Sequence, residues 1–162
     1  MDRIKLLPKM KKISDHISYK EATHSDYAKR KGIANKPLAS NIKNMERLAE
    51  KVFEPLREWV GGPIKVNSMF RSPELNQAIK GAYFSQHLQG DAIDITSMGG
   101  KTNLEMFHYI KDELDFDQLI WEFGVEPKWL HVSYKSKKAN RKQVLVTQRK
   151  GKYYTWADCK NC

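Results

Sequence analysis

A histidine and an aspartate stand seven residues apart in the stretch SQHLQGDAIDI, with glycine and alanine between them. If residues 90–96 are extended, side chains alternate between the two faces, so Gly90, Ala92 and Asp94 share one face. That face then carries no bulky side chain beside the carboxylate, which leaves room for a metal ion and a substrate. We expect His87 to fold back over the same face through the turn that follows it.

A second imidazole is expected from the run KWLHVSY, where strand alternation puts Trp129, His131 and Ser133 on one face. Two neutral imidazoles and one carboxylate suit a zinc ion, and three protein ligands leave a fourth position open for water. Because structural zinc sites usually fill all four positions, the predicted set of His87, Asp94 and His131 has the form of a catalytic site.

A general base that takes a proton from the attacking water is expected in the run DQLIWEF. Gln118, Ile120 and Glu122 share a face of that strand, and Glu122 at its end is placed beside the strand of His131. Glu126, in the expected turn GVEP, is the other candidate, and its simpler interpretation is a solvated loop charge.

The elements that position these side chains follow from the pattern of apolar residues. From Asn41 to Val60 they recur at three- and four-residue steps, which indicates an amphipathic helix, and Pro55 predicts a kink or a break in it. Shorter helices are expected after the caps Ser25 and Ser72 and in NLEMFHYIKDEL. Strands are expected in IKVNSMF, AIDIT, DQLIWEF, KWLHVSY and QVLVTQ, the last two joined as a hairpin by the basic loop SKKANRK. Helices early and strands late predict an α+β fold with helices packed on one face of a mainly antiparallel sheet.

Length and composition limit the organisation of the chain. With 162 residues, 40% of them hydrophobic, we expect a basic, irregular N-terminal segment at 1–18, one domain at 19–156 and a tail at 157–162. The N-terminus lacks a secretory signal, and no apolar run approaches the roughly 20 residues that cross a bilayer. A soluble protein without a membrane span is therefore expected.

The net charge limits the kinds of binding partner, and the cysteine content limits the chemistry of the C-terminal tail. Twenty-nine Lys and Arg against 19 Asp and Glu give a net charge of +10, which favours an anionic partner: nucleic acid, phospholipid or a cell-envelope polymer. No predicted helix carries a basic stripe interleaved with aromatic residues, so specific nucleic-acid binding is not expected. Cys159 and Cys162, in CKNC, lack the context of a zinc site or a redox pair, and we expect incidental thiols in a frayed tail.

Several stretches together resemble one family. SQHLQGDAIDI matches the S-x-H-x-x-G-x-A-x-D pattern of the zinc D-alanyl-D-alanine carboxypeptidases, peptidase family M15, which includes phage endolysins and shares a fold with the hedgehog signalling domain. NSMFRSPELN resembles the family's Y-R-S-x-x-L-N segment, and DQLIWEF followed by KWLHVSY resembles its base and second-histidine strands. ISYKEATHSDYAKRKGIANKP resembles the phage subgroup, so the similarity covers about residues 17–134.

The resemblance implies the same zinc ligands and the same general base as the residue pattern. It further implies that Arg71 pairs with a substrate carboxylate and that Ser85 hydrogen-bonds the substrate backbone. A surface cation and a turn residue are the alternative interpretations of these two. The chain departs from the family at Phe70, which lacks the usual hydroxyl, and at Lys128, where many members place their base.

The implied function is that of a zinc metallopeptidase that cleaves peptidoglycan stem peptides, as a D-Ala-D-Ala carboxypeptidase or an L-Ala-D-Glu endopeptidase. A phage endolysin, monomeric and moving from the host cytoplasm to the periplasm and cell wall, fits the size and charge. A virion-associated wall hydrolase in contact with virion proteins fits equally. The alternatives are a catalytically weak wall-binding or structural virion module that keeps the zinc site, and a nucleic-acid-binding protein that uses the basic ends.

Overall fold

A layer of helices covers one face of a six-stranded sheet in the computed structural model, which describes residues 12–159. Every neighbouring pair of strands in this sheet is antiparallel except β5 (Gln118–Glu122) and β7 (Gln143–Arg149). The predicted α+β class, with helices on a mainly antiparallel sheet, is confirmed. In spatial order the strands are β3 (Ile64–Ser68), β4 (Ala92–Ser97), β6 (Trp129–Ser133), β5 (Gln118–Glu122), β7 (Gln143–Arg149) and β8 (Lys152–Thr155).

The central strands have two different faces because apolar and polar residues alternate along them. In β4, Ile93 and Ile95 are fully buried in the hydrophobic core, and Leu119 on β5 and Val132 on β6 join them. The intervening side chains, including Asp94, lie on the other face of the sheet. The core thus fixes the strand register, and the register fixes which polar side chains meet on the opposite face.

The long helix predicted for Asn41–Val60 is present but changes its hydrogen-bond pattern along its length. It consists of α3 (Ala39–Leu48), a π-helical turn at Ala49–Phe53 and α4 (Glu54–Val60), and it ends at Gly61 in a left-handed conformation. Pro55 has no N–H to donate, and the wider π turn lies directly before it, so the predicted disturbance is confirmed.

Shorter helices begin at the predicted caps. The Ser25 hydroxyl caps α2 (Asp26–Lys31), the Ser72 hydroxyl caps α5 (Pro73–Ala78), and α6 (Asn103–Glu113) packs on the sheet beside α4. A helix that the sequence did not predict, α1 (Tyr19–Thr23), begins with a capping box at Ser18.

The irregular conformation predicted for the first 18 residues is wrong where the structure describes them. Lys12–Ser14 (β1) and Ile17–Ser18 (β2) form a small antiparallel ladder. Ile13 and Ile17 are buried in the hydrophobic core, and this burial holds the ladder on the domain. Residues 1–11 lie outside the described part of the chain.

The predicted hairpin between KWLHVSY and QVLVTQ is also wrong. β6 pairs with β4 and β5, so both of its edges are already occupied. The chain after β6 therefore crosses to the free edge of β5, where β7 pairs in parallel, and β8 then pairs with β7. The backbone N–H of Gln143 donates to the Asp117 carbonyl oxygen just before β5, which starts the new strand beside the old one.

The C-terminal segment is more closely attached than a frayed tail. Trp156 packs against Phe107 and Trp121, and Cys159 packs against the same core. Cys159 is disulfide-bonded, so the expectation of incidental thiols is wrong for it; Cys162 lies outside the described residues. Within residues 12–159, no helix combines the length and hydropathy needed to span a bilayer.

Candidate metal centre and catalytic cleft

Three buried side chains converge on the polar face of the sheet: His87, Asp94 and His131. The His87 Nε2 atom lies 3.3 Å from Oδ1 of Asp94, and the His131 Nδ1 atom lies 3.0 Å from the same oxygen. One donor atom from each residue lies within 4.8 Å of the other two. The structure therefore brings the three predicted ligands into one cluster that could hold a metal ion.

The sheet and one short turn position these ligands. Asp94 and His131 are direct register partners in the β4–β6 ladder, which fixes their side chains on the same face. His87 comes from a single 3-10 turn, Gln86–Leu88, that precedes β4. The backbone N–H of Arg71 donates to the His87 carbonyl oxygen, which joins this turn to the end of β3.

A close backbone approach, rather than space for a metal, explains Gly90. Its φ of 77° is left-handed, and a Cβ atom there would lie 2.6 Å from the carbonyl oxygen of Asn41 in α3. Only glycine allows the turn after His87 to pack this closely on the helix. Gly90 therefore contributes to the site by holding the turn that carries His87 close against α3.

The tautomer of His87 leaves a lone pair facing the cluster. Its Nδ1 lies 2.7 Å from the carbonyl oxygen of Met69, which can only accept, so the proton of the neutral ring is on Nδ1. Burial lowers the pKa of His87 below its ordinary value, although Asp94 opposes this. Burial alone raises the pKa of Asp94, but the neighbouring histidines outweigh it and hold that pKa well below its usual range.

The donor set fits a small divalent cation. At neutral pH the lone pair of His87 Nε2 faces an ionised carboxylate oxygen, and two acceptors at 3.3 Å repel each other unless a cation lies between them. Ligand atoms about 2.0–2.1 Å from a tetrahedral zinc ion lie about 3.3–3.4 Å apart, close to the spacings of Asp94 Oδ1 from both imidazoles. The buried His131 Nε2 forms no hydrogen bond within residues 12–159.

Glu122 lies on the same face but is not one of the converging donors. It is two residues from Ile120, the register partner of His131, which places it about 7 Å further along β5. Its carboxylate forms no hydrogen bond among the described residues, and burial raises its pKa to about 7. A carboxyl group with this pKa can accept and return a proton near neutral pH.

Glu126, the other candidate base, lies outside the cleft. Glu126 is exposed in the turn between β5 and β6, whereas Glu122 lines the cavity that contains the three converging donors. Phe123 and Gly124 both have positive φ, so the chain turns away from the sheet directly after Glu122. Glu122 therefore lies at the cleft, whereas Glu126 and Lys128 are exposed in the turn that follows it.

Arg71 lies against the cluster in the structure. Its Nη2 donates to Oδ2 of Asp94 at 3.2 Å, and its Nε donates to the Ser68 hydroxyl at the same distance. The side chain is 19% exposed, so it is not an ordinary surface cation. Nη1 forms no hydrogen bond within the described residues and is the part of the guanidinium that remains for another ligand.

Ser85 is the residue just before the turn that carries His87. Its hydroxyl does not cap that turn, and the residue lines the same cavity as Arg71, Glu122 and the three converging donors. The cavity has a volume of about 730 Å³. The cleft is therefore lined by His87, Asp94, His131, Glu122, Arg71 and Ser85.

Several contributors to the site were missed by the sequence reasoning. The Met69 carbonyl, which fixes the His87 tautomer, has no side-chain signature. Buried Asp117 binds both Gln86, the neighbour of His87, and Arg141 on the opposite wall. Asp117 comes just before the alternating run QLIWE, but nothing in the spacing links it to Arg141.

A comparison with protein families agrees with this geometry. The model of the family described as Peptidase M15 matches residues 15–133, which is more than half of the chain. The chain therefore belongs to the peptidase M15 family, as the sequence motifs predicted. Membership indicates a metal-dependent peptidase, and the His87, Asp94 and His131 cluster is consistent with it. No curated protein matches the chain.

Proposed function

We propose that the protein is a zinc-dependent peptidase that cleaves the stem peptides of bacterial peptidoglycan. The observation that supports this most strongly is a cluster of three metal-binding donors beside a carboxyl group that is not part of it. His87, Asp94 and His131 hold the zinc ion, and Glu122 is the general base. Zinc in this position supplies a Lewis acid that polarises the scissile carbonyl and lowers the pKa of water.

The side chains of the cleft have separate tasks in this proposal. Glu122 accepts a proton from the attacking water and passes it to the leaving amine, for which a pKa near 7 is well matched. Arg71 keeps Asp94 in place through Nη2 and uses its free Nη1 to pair with a substrate carboxylate. Ser85, which lines the cavity and whose hydroxyl does not cap the turn that carries His87, hydrogen-bonds the substrate backbone.

The biological setting is proposed from the net charge and from the motifs that resemble the phage subgroup of the family. A charge of +10 favours association with an anionic cell wall, at a rate that falls as salt increases. We propose a phage endolysin or a virion-associated wall hydrolase, whose partner is peptidoglycan and not a specific nucleic acid. If the protein is an endolysin, it is expected to be a monomer that passes from the host cytoplasm to the periplasm. If it is a virion component, it is expected to contact other virion proteins. The residues 19–156 remain our prediction for the catalytic domain.

The test is digestion of purified peptidoglycan by zinc-loaded protein, followed by mass spectrometry of the products. Wild-type protein is expected to release peptides, and Glu122→Ala to lower kcat by about 10²–10⁴-fold while keeping its zinc. Glu126→Ala is the matched control and is expected to keep its activity. A mass loss of one terminal alanine indicates the carboxypeptidase, and a new N-terminal glutamate indicates the endopeptidase.

Three results would contradict the proposal. Equal activity of Glu122→Ala and wild type would remove Glu122 from the chemistry. Binding to cell walls without new peptide termini would favour the wall-binding or structural virion module that retains the zinc site. Tight, salt-sensitive DNA binding that survives chelation of zinc would favour the nucleic-acid alternative.

A further inference from the structure

One wall of the cleft is built by chain that follows the family-matched region. The match to the family ends at residue 133, and the cavity is lined beyond that point by Lys135, Arg141, Thr147 and Tyr153, among others. This wall is therefore formed by a later part of the chain than the wall that carries the metal-binding cluster. Side chains on it are candidates for setting which peptides this chain accepts.

Arg141 is the most firmly held polar side chain of this wall. Its Nε donates to Oδ1 of Asp117 at 2.9 Å and its Nη2 to Oδ2 at 2.7 Å. Asp117 is completely buried and also accepts from the Arg141 backbone N–H and from Gln86 Nε2. The guanidinium is consequently fixed on one edge, which reduces the entropy lost when its other edge binds a ligand.

The remaining edge of Arg141 is open. Nη1 forms no hydrogen bond within residues 12–159, and the side chain is 47% exposed at the cavity. Lys135 Nζ lies 3.8 Å from Asp117 Oδ2 and lines the same cavity. Two cations therefore share one buried carboxylate, which leaves this end of the cleft with a net positive charge and a free two-donor edge.

The distance between Asp117, which holds Arg141, and the metal-binding cluster follows from the strand geometry. Asp117 is three residues before Ile120, the register partner of His131, so it is about 10 Å along β5 from the metal-binding cluster. Glu122 lies in the opposite direction along the same strand. An extended peptide covers about 3.3–3.6 Å per residue, so the separation corresponds to two or three residues of substrate.

We propose that Arg141, assisted by Lys135, is a specificity-determining residue that binds a second carboxylate of the substrate, two or three residues from the scissile bond. This inference rests on the proposed peptidase function and adds to it a subsite separate from Arg71. The substrate class is a peptide with a free carboxylate at that position, and the corresponding carboxamide is rejected because it offers one neutral acceptor instead of a bidentate anion.

The test uses pairs of synthetic stem peptides that differ at one acidic residue by a free carboxylate or a carboxamide. For the peptide pair whose acidic residue lies two or three residues from the scissile bond, wild type is expected to favour the carboxylate peptide by about 10–100-fold in kcat/KM. Arg141→Gln is expected to bring this preference within about threefold, mainly by raising KM for the carboxylate peptide, and Arg141→Lys to restore part of it. Lys138→Gln is the control, since it removes an exposed cation from the same connection that does not line the cavity.

A structural effect of the substitution is distinguishable from a loss of specificity. Because Arg141→Gln leaves Asp117 buried without its partner, the double variant Asp117→Asn with Arg141→Gln and the single variant Lys135→Gln are measured beside it. Equal losses on both members of every peptide pair, or an unchanged preference in all variants, overturn the inference. Cleavage of both peptides by wild type without any preference also overturns it and leaves the proposed function standing. Failure to cleave any stem peptide contradicts the proposed function itself.

Discussion

Replacing Glu122 with glutamine in the metal-free protein removes a carboxyl group whose proton affinity differs between the folded and unfolded states. Burial raises the pKa of Glu122 from its ordinary 4.5 to about 7, so the folded state holds the proton more tightly. The stabilising contribution is fully present below about pH 4.5 and is lost as the pH rises through about 7. Glutamine at this position keeps the shape of the side chain and has no such dependence.

The size of the effect follows from the shift in pKa. A change from 4.5 to about 7 corresponds to about 3.4 kcal/mol in a fully buried site. Glu122 is only partly buried, and solvent screening lowers this to about 1–2 kcal/mol. Relative to Glu122→Gln, wild-type protein is therefore expected to lose about 1–2 kcal/mol of unfolding free energy between pH 5 and pH 8.

Urea denaturation at several pH values, with a chelator present, measures this difference. Glu126→Gln makes the same chemical change at an exposed turn and is the matched control. A difference between wild type and Glu122→Gln that stays constant from pH 5 to pH 8 would contradict this prediction, because the carboxyl would then be equally solvated in both states.

Three further predictions concern the metal cluster and its supports. Asp94→Asn is expected to weaken zinc binding at least about 100-fold in a competition titration, and unchanged affinity would show that Asp94 is not a ligand. Gly90→Ala is expected to lower the unfolding free energy by about 2–4 kcal/mol, because its Cβ would meet a backbone oxygen and its φ is left-handed; Gly32→Ala, with a similar φ and open space, should cost about 1 kcal/mol. Equal costs for the two glycines would contradict the steric argument. Burial alone raises the pKa of Asp117, but hydrogen bonds from Arg141 outweigh this and lower the pKa to about 2. The stabilising contribution of Asp117 is therefore present above about pH 3.8 and is lost as the pH falls through about 2. Asp117→Asn should therefore cost about 3–5 kcal/mol at pH 7 and clearly less near pH 2, as measured by urea unfolding, and a cost independent of pH would contradict this.

The position of Asp94 was predictable because it depends on strand alternation within one short run. The run AIDIT places Asp94 on one face and its isoleucines on the other, and the structure keeps this division. The caps Ser25 and Ser72 were likewise visible as single residues before a helical pattern. Each of these features involves a few neighbouring residues whose geometry is fixed by the backbone.

Features that depend on distant partners were not predictable in the same way. The parallel pairing of β7 with β5 arises because β4 and β5 already occupy both edges of β6, and this is a property of the assembled sheet. The bond between Asp117 and Arg141 joins residues 24 apart and follows from that crossover. The Met69 carbonyl that fixes His87 is a backbone atom, which no residue type reveals.

The proposed function requires two imidazole rings and one carboxylate to bind a single zinc ion. Anomalous diffraction at the zinc absorption edge from crystals of zinc-loaded protein tests it most directly. We expect one strong peak at about 2.0–2.2 Å from a nitrogen of His87, an oxygen of Asp94 and a nitrogen of His131, with Glu122 outside the coordination sphere. A peak coordinated by other residues, or no peak between these three side chains at saturating zinc, would contradict it.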